Sequence, residues 1–312
     1  MAVVAIVGTG LVGRAWAISF ARAGHEVRLY DEAAGAAEKA VAFAREMTQP
    51  LEQEGLLEGQ TAGQVIARMH PAPSLHAALA GAAHVQENTP EDLAVKQKVF
   101  AWLDAVAAPE TVLASSTSAI LPSKFTETLK GRNRCLVMHP INPPYLIPAV
   151  EVVPAPWTDP AAVEQTRKLA VASGQAPIVM KRELDGFVMN RMQGALLEEA
   201  FRLVADGYAS VEDVDVGIRE GLALRWSFMG PFETIDLNAP GGVRDYAARY
   251  GQVLYEQVAG VQHKPWDDAL ISKIEAERRK IMLQEDHAER EAWRDRRLMA
   301  LIAHKRAMTA KD

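Results

Sequence analysis

The sequence predicts an α/β fold, a doubly wound parallel sheet, followed by an all-α domain. Residues 2–7 form a continuous apolar run, as expected for a strand buried on both faces. Short apolar runs then alternate with helical segments, a pattern typical of a parallel sheet. From Gly186 onward helical periodicity dominates. A length of 312 residues suits two domains, and we predict them at 1–184 and 185–312.

The first thirty residues predict a complete βαβ unit. The strand at 2–7 leads into a glycine-rich turn and a helix that ends near Gly24, and Val27–Tyr30 forms a second strand before Asp31. Residues 32–69 are predicted to be helical, with breaks near Pro50 and Gly55. Further strands are predicted at residues 83–86, 111–114, 135–138 and 150–153, with a helix over 92–105.

The second domain is predicted to contain helices only. Apolar residues at helical spacing place them at residues 187–205, 211–220, 231–236, 244–259 and, in a densely charged segment, 268–311.

Composition narrows the functional classes. Lys and Arg total 34 against 40 Asp and Glu, a net charge of −6 that argues against a nucleic-acid partner. No apolar run approaches the roughly 18 residues of a membrane span, and the apolar N-terminus lacks the basic leader of a signal peptide. Cys135 is the only cysteine, which excludes an internal disulfide and favours a reducing cytoplasm.

The glycine-rich turn predicts a dinucleotide site. Residues 8–13 fit the pattern G-x-G-x-x-G through Gly8, Gly10 and Gly13, directly after a buried strand and at the start of a helix, which is the Rossmann arrangement. The free N–H groups of the helix suit a pyrophosphate, and a merely structural turn is the weaker alternative. Asp31, about twenty residues beyond, can accept hydrogen bonds from the ribose hydroxyls and would repel the 2′-phosphate of NADP. NAD is therefore the expected cofactor.

Polar residues at predicted strand ends give candidates for chemistry, because ligands bind beyond the carboxyl ends of the strands. Oxidation of an alcohol needs a base for the hydroxyl proton, and a histidine oriented by a carboxylate provides one. His139 and Glu151 could form that pair, Ser118 could bind the substrate oxygen, and Asn190 could close the site from the other side. Taken singly, each has a plainer explanation: packing for His139, solvation for Glu151, and helix capping for the neighbouring Ser115.

Together these motifs resemble the L-3-hydroxyacyl-CoA dehydrogenase family. The motifs include residues 116–118, His139 with Asn142-Pro143, the run 185–191 and the run 230–233, so the resemblance covers nearly the whole chain. It implies a catalytic dyad of His139 and Glu151, and substrate contacts from Ser118 and Asn190. It implies that the cofactor is bound by Gly8, Gly10, Leu11, Val12, Gly13, Asp31, Glu91, Lys96 and Asn142. It also implies a homodimer formed through the C-terminal helices, and no metal is expected.

Within that family, residues 139–148, 121–124, 224–226 and 291–295 resemble the lambda-crystallin branch, the L-gulonate 3-dehydrogenases, which act on a free hydroxy acid. Residues 47–67 contain no Lys or Arg but do contain Glu52, Glu54 and Glu58, a poor partner for the phosphates of CoA. Arg225 could hold a substrate carboxylate, its alternative being a surface ion pair. The acyl-CoA enzymes usually have Asn where Ser116 stands.

Three functions stay open at this stage. The first is NAD-dependent oxidation of a 3-hydroxy acid such as L-gulonate. The second is the same chemistry on a short-chain 3-hydroxyacyl-CoA. The third is a non-catalytic abundant protein, as for crystallins recruited in the lens, and the complete set of Ser118, His139, Glu151 and Asn190 argues against it.

Overall fold

The computed structural model describes residues 2–259, 269, 272–273, 276, 280, 283 and 285–309. Much of the predicted helical segment 268–311 therefore lies outside the described residues. Within the described part of the chain, no helix is long and apolar enough to cross a membrane.

Eight strands form one sheet in the order β3-β2-β1-β4-β5-β6-β7-β8. The strands are β1 Val3–Val7, β2 Glu26–Tyr30, β3 Met69–Pro71, β4 Ala82–Glu87, β5 Val112–Ser115, β6 Cys135–Pro140, β7 Ala149–Pro154 and β8 Ala176–Val179. Neighbours pair in parallel except β6 and β7, which are antiparallel. The predicted α/β class with a largely parallel, doubly wound sheet is confirmed. The strands β3 and β8 were not predicted from the sequence, and both are short, with three and four residues.

The helices of the first half cover both faces of the sheet. They are α1 Leu11–Arg22, α2 Ala36–Gln53, α3 Ala62–Ile66, α4 Leu75–Leu79, α5 Leu93–Val106, α6 Pro122–Thr126 and α7 Pro160–Ala172, with a short 3₁₀ turn at Arg132–Arg134. Alternate residues of β1 enter different cores: Val4 and Ile6 pack in one, Ala5 and Val7 in the other. This alternation explains why the strand is apolar throughout. Pro50 lies inside α2 near its end, rather than breaking it as predicted.

The remaining helices of the described residues are α8 Met189–Ala205, α9 Val211–Val216, α10 Ala223–Trp226, α11 Pro231–Leu237, α12 Gly242–Ala259 and α13 His287–Thr309, with a π-helical turn at Gly217–Leu222 between α9 and α10. The chain divides into two compact units, residues 1–191 with 294–312, and residues 192–293. The C-terminal part of α13 packs in the first unit, where Met299 is buried. A domain boundary between residues 184 and 185 stays a prediction.

Candidate active site

The glycine turn between β1 and α1 is built from close backbone contacts. Gly8 has a φ of +85°, and a Cβ there would lie 2.8 Å from the carbonyl carbon of Asn88. A Cβ on Gly13 would lie 2.0 Å from the carbonyl oxygen of Gly8, so helix and strand approach each other too closely for a side chain. At Gly10 a Cβ would meet no atom within 4 Å. The two flanking glycines are therefore required by packing, whereas Gly10 faces open space.

That open space is a cavity of about 600 Å³ whose lining includes Gly8, Gly10, Asp31 and Glu32. Helix α1 begins beside it, and its N-cap residue, Gly10, has no side chain to cap the first turn of the helix. Asp31 directly follows β2, and its Oδ2 accepts hydrogen bonds from the backbone N–H (2.7 Å) and the hydroxyl (3.0 Å) of Thr9. The uncapped turn supplies N–H groups for a pyrophosphate, and the two carboxylates suit ribose hydroxyls.

A second feature of the same edge fits a bound cofactor. The Oδ1 of Asn142, which follows β6, is buried without a hydrogen-bond partner among the described residues. A buried amide oxygen of this kind needs a donor, and a ligand is one source of it. The cavity lining therefore fits NAD, which would be held by the glycine turn and Asp31. A contact between Asn142 and the cofactor stays a prediction.

His139 and Glu151 lie together in the structure. The Nδ1 of His139 is 2.7 Å from Oε2 of Glu151, and both side chains are buried. The ring of His139 also packs against Phe187 with centroids 5.6 Å apart. Its Nε2 forms no hydrogen bond with any residue in the described part of the chain. A carboxylate on Nδ1 holds the proton there and leaves Nε2 as a proton acceptor.

The position of Glu151 differs from the one used to predict it. Glu151 was grouped with the polar residues at carboxyl ends of strands, although it falls inside the strand predicted at 150–153, and in the structure it is the third residue of β7. Because β7 runs antiparallel to β6, its beginning lies beside the end of β6, and His139 pairs in register with Glu151. The two side chains meet because of a change of strand direction that the sequence argument did not include.

The other oxygen of Glu151 anchors the start of α8. Its Oε1 accepts hydrogen bonds from the backbone N–H groups of Val188 (2.6 Å) and Met189 (2.9 Å). Burial acts to raise the pKa of this carboxyl, but the hydrogen bonds from His139, Met189 and Val188 outweigh it and the pKa lies below its ordinary value of 4.5. Glu151 is thus held ionised between the imidazole and a helix N-terminus.

Ser118 and Asn190 are also neighbours. The amide Nδ2 of Asn190 donates to the backbone carbonyl of Ser118 at 2.7 Å. Ser118 is exposed and is held by Glu91, whose Oε1 accepts hydrogen bonds from the backbone N–H groups of Ser118 and Ala119 and from the hydroxyl of Thr117. Since Asn190 directly follows Met189, one turn of α8 connects this pair to Glu151. Glu91 therefore fixes the backbone of residues 117–119, here called the serine loop. A contact between Glu91 and the cofactor stays a prediction.

Lys96 points toward a partner that the sequence did not suggest. It is 1% exposed, and its Nζ lies 3.0 Å from both carboxylate oxygens of Glu87 and from the carbonyl of Thr89. Glu87 also accepts a hydrogen bond of 2.6 Å from Ser115. Ser115 is therefore the end of β5 and a partner of Glu87, not the helix cap that a serine cluster suggested. A contact between Lys96 and the cofactor stays a prediction.

Sequence reasoning also missed a polar network around Ser116. Its Oγ accepts hydrogen bonds from Trp16 Nε1 (3.1 Å) and Gln86 Nε2 (2.7 Å) and donates to Asn88 Oδ1 (2.7 Å). Gln86 also donates to the carbonyl of Met138, the residue before His139. The hydroxyl of Ser116 is saturated, since it accepts two hydrogen bonds and donates one. The available signal for this network was Gln86, a polar residue inside a strand predicted for the parallel sheet.

Arg225 belongs to the second compact unit. It lies in α10, is exposed, and forms no ion pair with a residue that the structure describes. Two of the three carboxylates in residues 47–67 do have partners: Glu52 accepts the backbone N–H of Ala62 at 2.7 Å, and Glu58 lies 3.8 Å from Arg306.

Comparison with known proteins gives a consistent family. The family model for the NAD binding domain of 3-hydroxyacyl-CoA dehydrogenase matches residues 3–183, and the model for the C-terminal domain matches residues 186–281. Lambda-crystallin of Oryctolagus cuniculus is 40% identical over 309 residues, covering 98% of this chain and 97% of the relative. L-carnitine dehydrogenase of Streptomyces griseus is 38% identical over 274 residues, covering 88% of this chain and 81% of the relative.

A solved structure is similar over the full length. The NAD⁺-dependent dismutase 5-formyl-3-hydroxy-2-methylpyridine 4-carboxylic acid 5-dehydrogenase is 29% identical, with a TM-score of 0.81, and the match covers 96% of this chain and 97% of that one.

Proposed function

The chain belongs to the 3-hydroxyacyl-CoA dehydrogenase family and is an NAD-dependent oxidoreductase acting on CH–OH groups; from that premise we propose that its substrate is a free 3-hydroxy acid, L-gulonate or a close relative. The main support for the chemistry is the 2.7 Å contact between His139 Nδ1 and Glu151 Oε2. It provides a buried, oriented imidazole at the edge of the sheet that also carries the glycine turn.

In this mechanism His139 is the general base. Its Nε2 accepts the proton of the 3-hydroxyl while Glu151 stabilises the imidazolium through Nδ1–H. Bound NAD supplies the acceptor for the hydride that leaves C3. Ser118 donates a hydrogen bond to the substrate oxygen. Asn190 holds the serine loop by donating to the backbone carbonyl of Ser118, and it also contacts the substrate oxygen. Burial of the dyad keeps competing water away from the transferred proton.

A free carboxylate is favoured by the named substrates of two relatives. L-carnitine and the pyridine 4-carboxylic acid each bear one, and neither is a thioester. On this chain we assign the carboxylate to Arg225, whose exposed guanidinium has no ion-pair partner among the described residues. A bidentate guanidinium matches the two oxygens of a carboxylate.

The test compares two substrates and two variants. L-gulonate with NAD and acetoacetyl-CoA with NADH are assayed side by side, and we expect the larger kcat/KM on L-gulonate. His139→Gln should keep NAD binding and lose about 10²–10⁴-fold in kcat. Arg225→Met should raise the KM for the free acid by about tenfold or more with little effect on any thioester activity. Near-normal kcat in the histidine variant, or faster thioester turnover in the parent, would contradict the proposal.

The second candidate is a short-chain L-3-hydroxyacyl-CoA dehydrogenase, favoured by the name of the family whose two domain models together span residues 3–281. The dyad would perform the same chemistry, and the thioester arm of the assay detects it.

We also propose a homodimer formed through the second unit. The buried apolar side chains among its described residues are Val204, Val211 and Ala239. Phe228 is 71% exposed and Phe232 78% exposed, and large exposed apolar side chains of this kind suit an interface with a second copy. Light scattering of the purified protein should give twice the 34.0 kDa chain mass. We further propose that the protein resides in a reducing cytoplasm, which suits its single, buried cysteine.

A further inference from the structure

Away from the dyad and the glycine turn, the first unit contains a cavity of about 470 Å³ with cationic walls. Arg22 from the end of α1 and Lys305 and Arg306 from α13 line it. The rest of the wall is mainly apolar and comes from the connection between β6 and β7, including Tyr145 and Leu146. The volume is in the range of small-molecule sites, and its charged lining residues are all cations.

Arg22 is the unusual member of this set. It is 3% exposed, yet no carboxylate of the described residues lies within 4 Å of its guanidinium. Its Nη1 donates to the carbonyls of Tyr145 (2.9 Å) and Leu56 (3.5 Å), while Nε is buried with no partner in the described part of the chain. Burial, together with the charge of Arg306, lowers the pKa of Arg22 to about 10. A buried, incompletely paired cation is costly, so it calls for an anion.

The Nη2 of Arg22 and the Nη2 of Arg306 converge on one point. A Cβ placed on Gly174 would lie 3.6 Å from the first and 3.9 Å from the second. Glu58 Oε1 would be 3.8 Å from the same point. It contacts Arg306 at 3.8 Å, a long distance for an ion pair, and its side chain is 48% exposed. One half-exposed carboxylate does not balance the two guanidinium charges of Arg22 and Arg306.

We propose that this cavity, here called the Arg22 cavity, binds a small molecule bearing a phosphate or carboxylate group. The anionic group lies between Arg22 and Arg306, and the body of the ligand packs on Tyr145 and Leu146. Such a ligand ties α13 to the segment that joins His139 to Glu151, because that segment forms the apolar wall. The ligand thereby stabilises the folded chain at a site separate from the cofactor site, since the Arg22 cavity shares no lining residue with the cavity beside the glycine turn.

The experiment measures thermal unfolding of the full chain with inorganic phosphate and, separately, citrate, at constant ionic strength and with saturating NAD. NAD fills the glycine turn, which would otherwise bind phosphate itself. We expect the melting temperature to rise by about 3–6 °C at ten times the Kd of the anion. The anion with the lower Kd identifies the preferred group. Because no turnover is measured, the result is independent of the proposed substrate.

Three variants test which residues bind the anion. Arg306→Gln should raise the Kd about tenfold or more, since it removes one charged donor. Glu58→Gln should lower it severalfold, because it removes the competing carboxylate. Arg296→Gln is the matched control: it removes the same charge from an exposed position of α13 outside the cavity and should change nothing. An anion effect that vanishes with NAD bound, or that survives unchanged in Arg306→Gln, overturns the proposal. So does a Glu58→Gln protein that is destabilised and binds the anion no better.

Discussion

Replacing Glu151 with glutamine tests the tautomer on which the proposed base depends. The carboxylate accepts three hydrogen bonds, from His139 Nδ1 and from the backbone N–H groups of Val188 and Met189. A glutamine offers one acceptor oxygen and an NH₂ group that only donates. Turning the oxygen toward His139 would set the NH₂ against two backbone donors, at about 1–3 kcal/mol for each buried donor left unpaired. We therefore expect the oxygen to face the backbone and the NH₂ to face His139.

In that arrangement Nδ1 of His139 must accept a hydrogen bond, so the ring proton moves to Nε2. An imidazole protonated at Nε2 cannot take the hydroxyl proton of a substrate. We expect kcat to fall by about 10³–10⁴-fold. The Kd for NAD should stay within about threefold of the parent value, because Glu151 does not line the cavity beside the glycine turn.

Two measurements follow the change. NADH formation gives kcat, and ¹⁵N chemical shifts of the imidazole nitrogens report which of them carries the proton. Glu151→Asp is the matched control, since it keeps the charge and should retain the Nδ1–H tautomer. A Glu151→Gln enzyme with kcat within about tenfold of the parent, or with the proton still on Nδ1, would refute this account.

Two further predictions concern the cofactor and the pH dependence of stability. Asp31→Ser should raise the ratio of kcat/KM for NADP over NAD about tenfold or more by removing a charge that repels the 2′-phosphate, and steady-state kinetics with both cofactors check it. Burial lowers the pKa of His84 from 6.5 to about 4, so the fold favours its neutral form. Its contribution to stability is full above pH 6.5 and is lost as the pH falls toward 4, by up to about 3 kcal/mol. Urea unfolding at pH 7.0, 5.5 and 4.5 should show a smaller loss in His84→Gln, and an unchanged loss would contradict the assignment.

The parts of the molecule that the sequence predicted well depend on local patterns. The glycine turn is specified within six residues, and its neighbouring strand and helix follow from apolar periodicity, so β1, α1 and β2 lie where they were expected. Packing then explains the pattern: Gly8 and Gly13 have no room for a side chain. The α/β class was predictable for the same reason, because alternating elements constrain the sheet without any knowledge of distant contacts.

The parts that were missed depend on contacts between distant residues. Nothing in residues 149–154 indicates that β7 reverses direction, since a short apolar strand has the same pattern in either orientation. Glu87 and Lys96 form an ion pair although they are nine residues apart in the sequence, and Ser116 and Trp16 form a hydrogen bond although they are one hundred residues apart. These side chains are polar and could equally have been solvated. Their burial is set by the sheet order, which propensity does not encode.

The choice between a free acid and a thioester cannot come from the dyad, because both substrates carry their hydroxyl on C3. It depends on charge at the far end of the substrate. Residues 47–67 carry three carboxylates and no Lys or Arg, and Glu52 and Glu58 are engaged in contacts of their own. Glu54 is exposed, so its charge can be reversed without loss of a structural partner. Glu54→Lys should leave kcat/KM for the free acid unchanged and raise any activity on acetoacetyl-CoA severalfold, because it places a cation in the segment expected to face CoA phosphates. If thioester activity is already high in the parent and Glu54→Lys does not alter it, then this segment does not select the substrate.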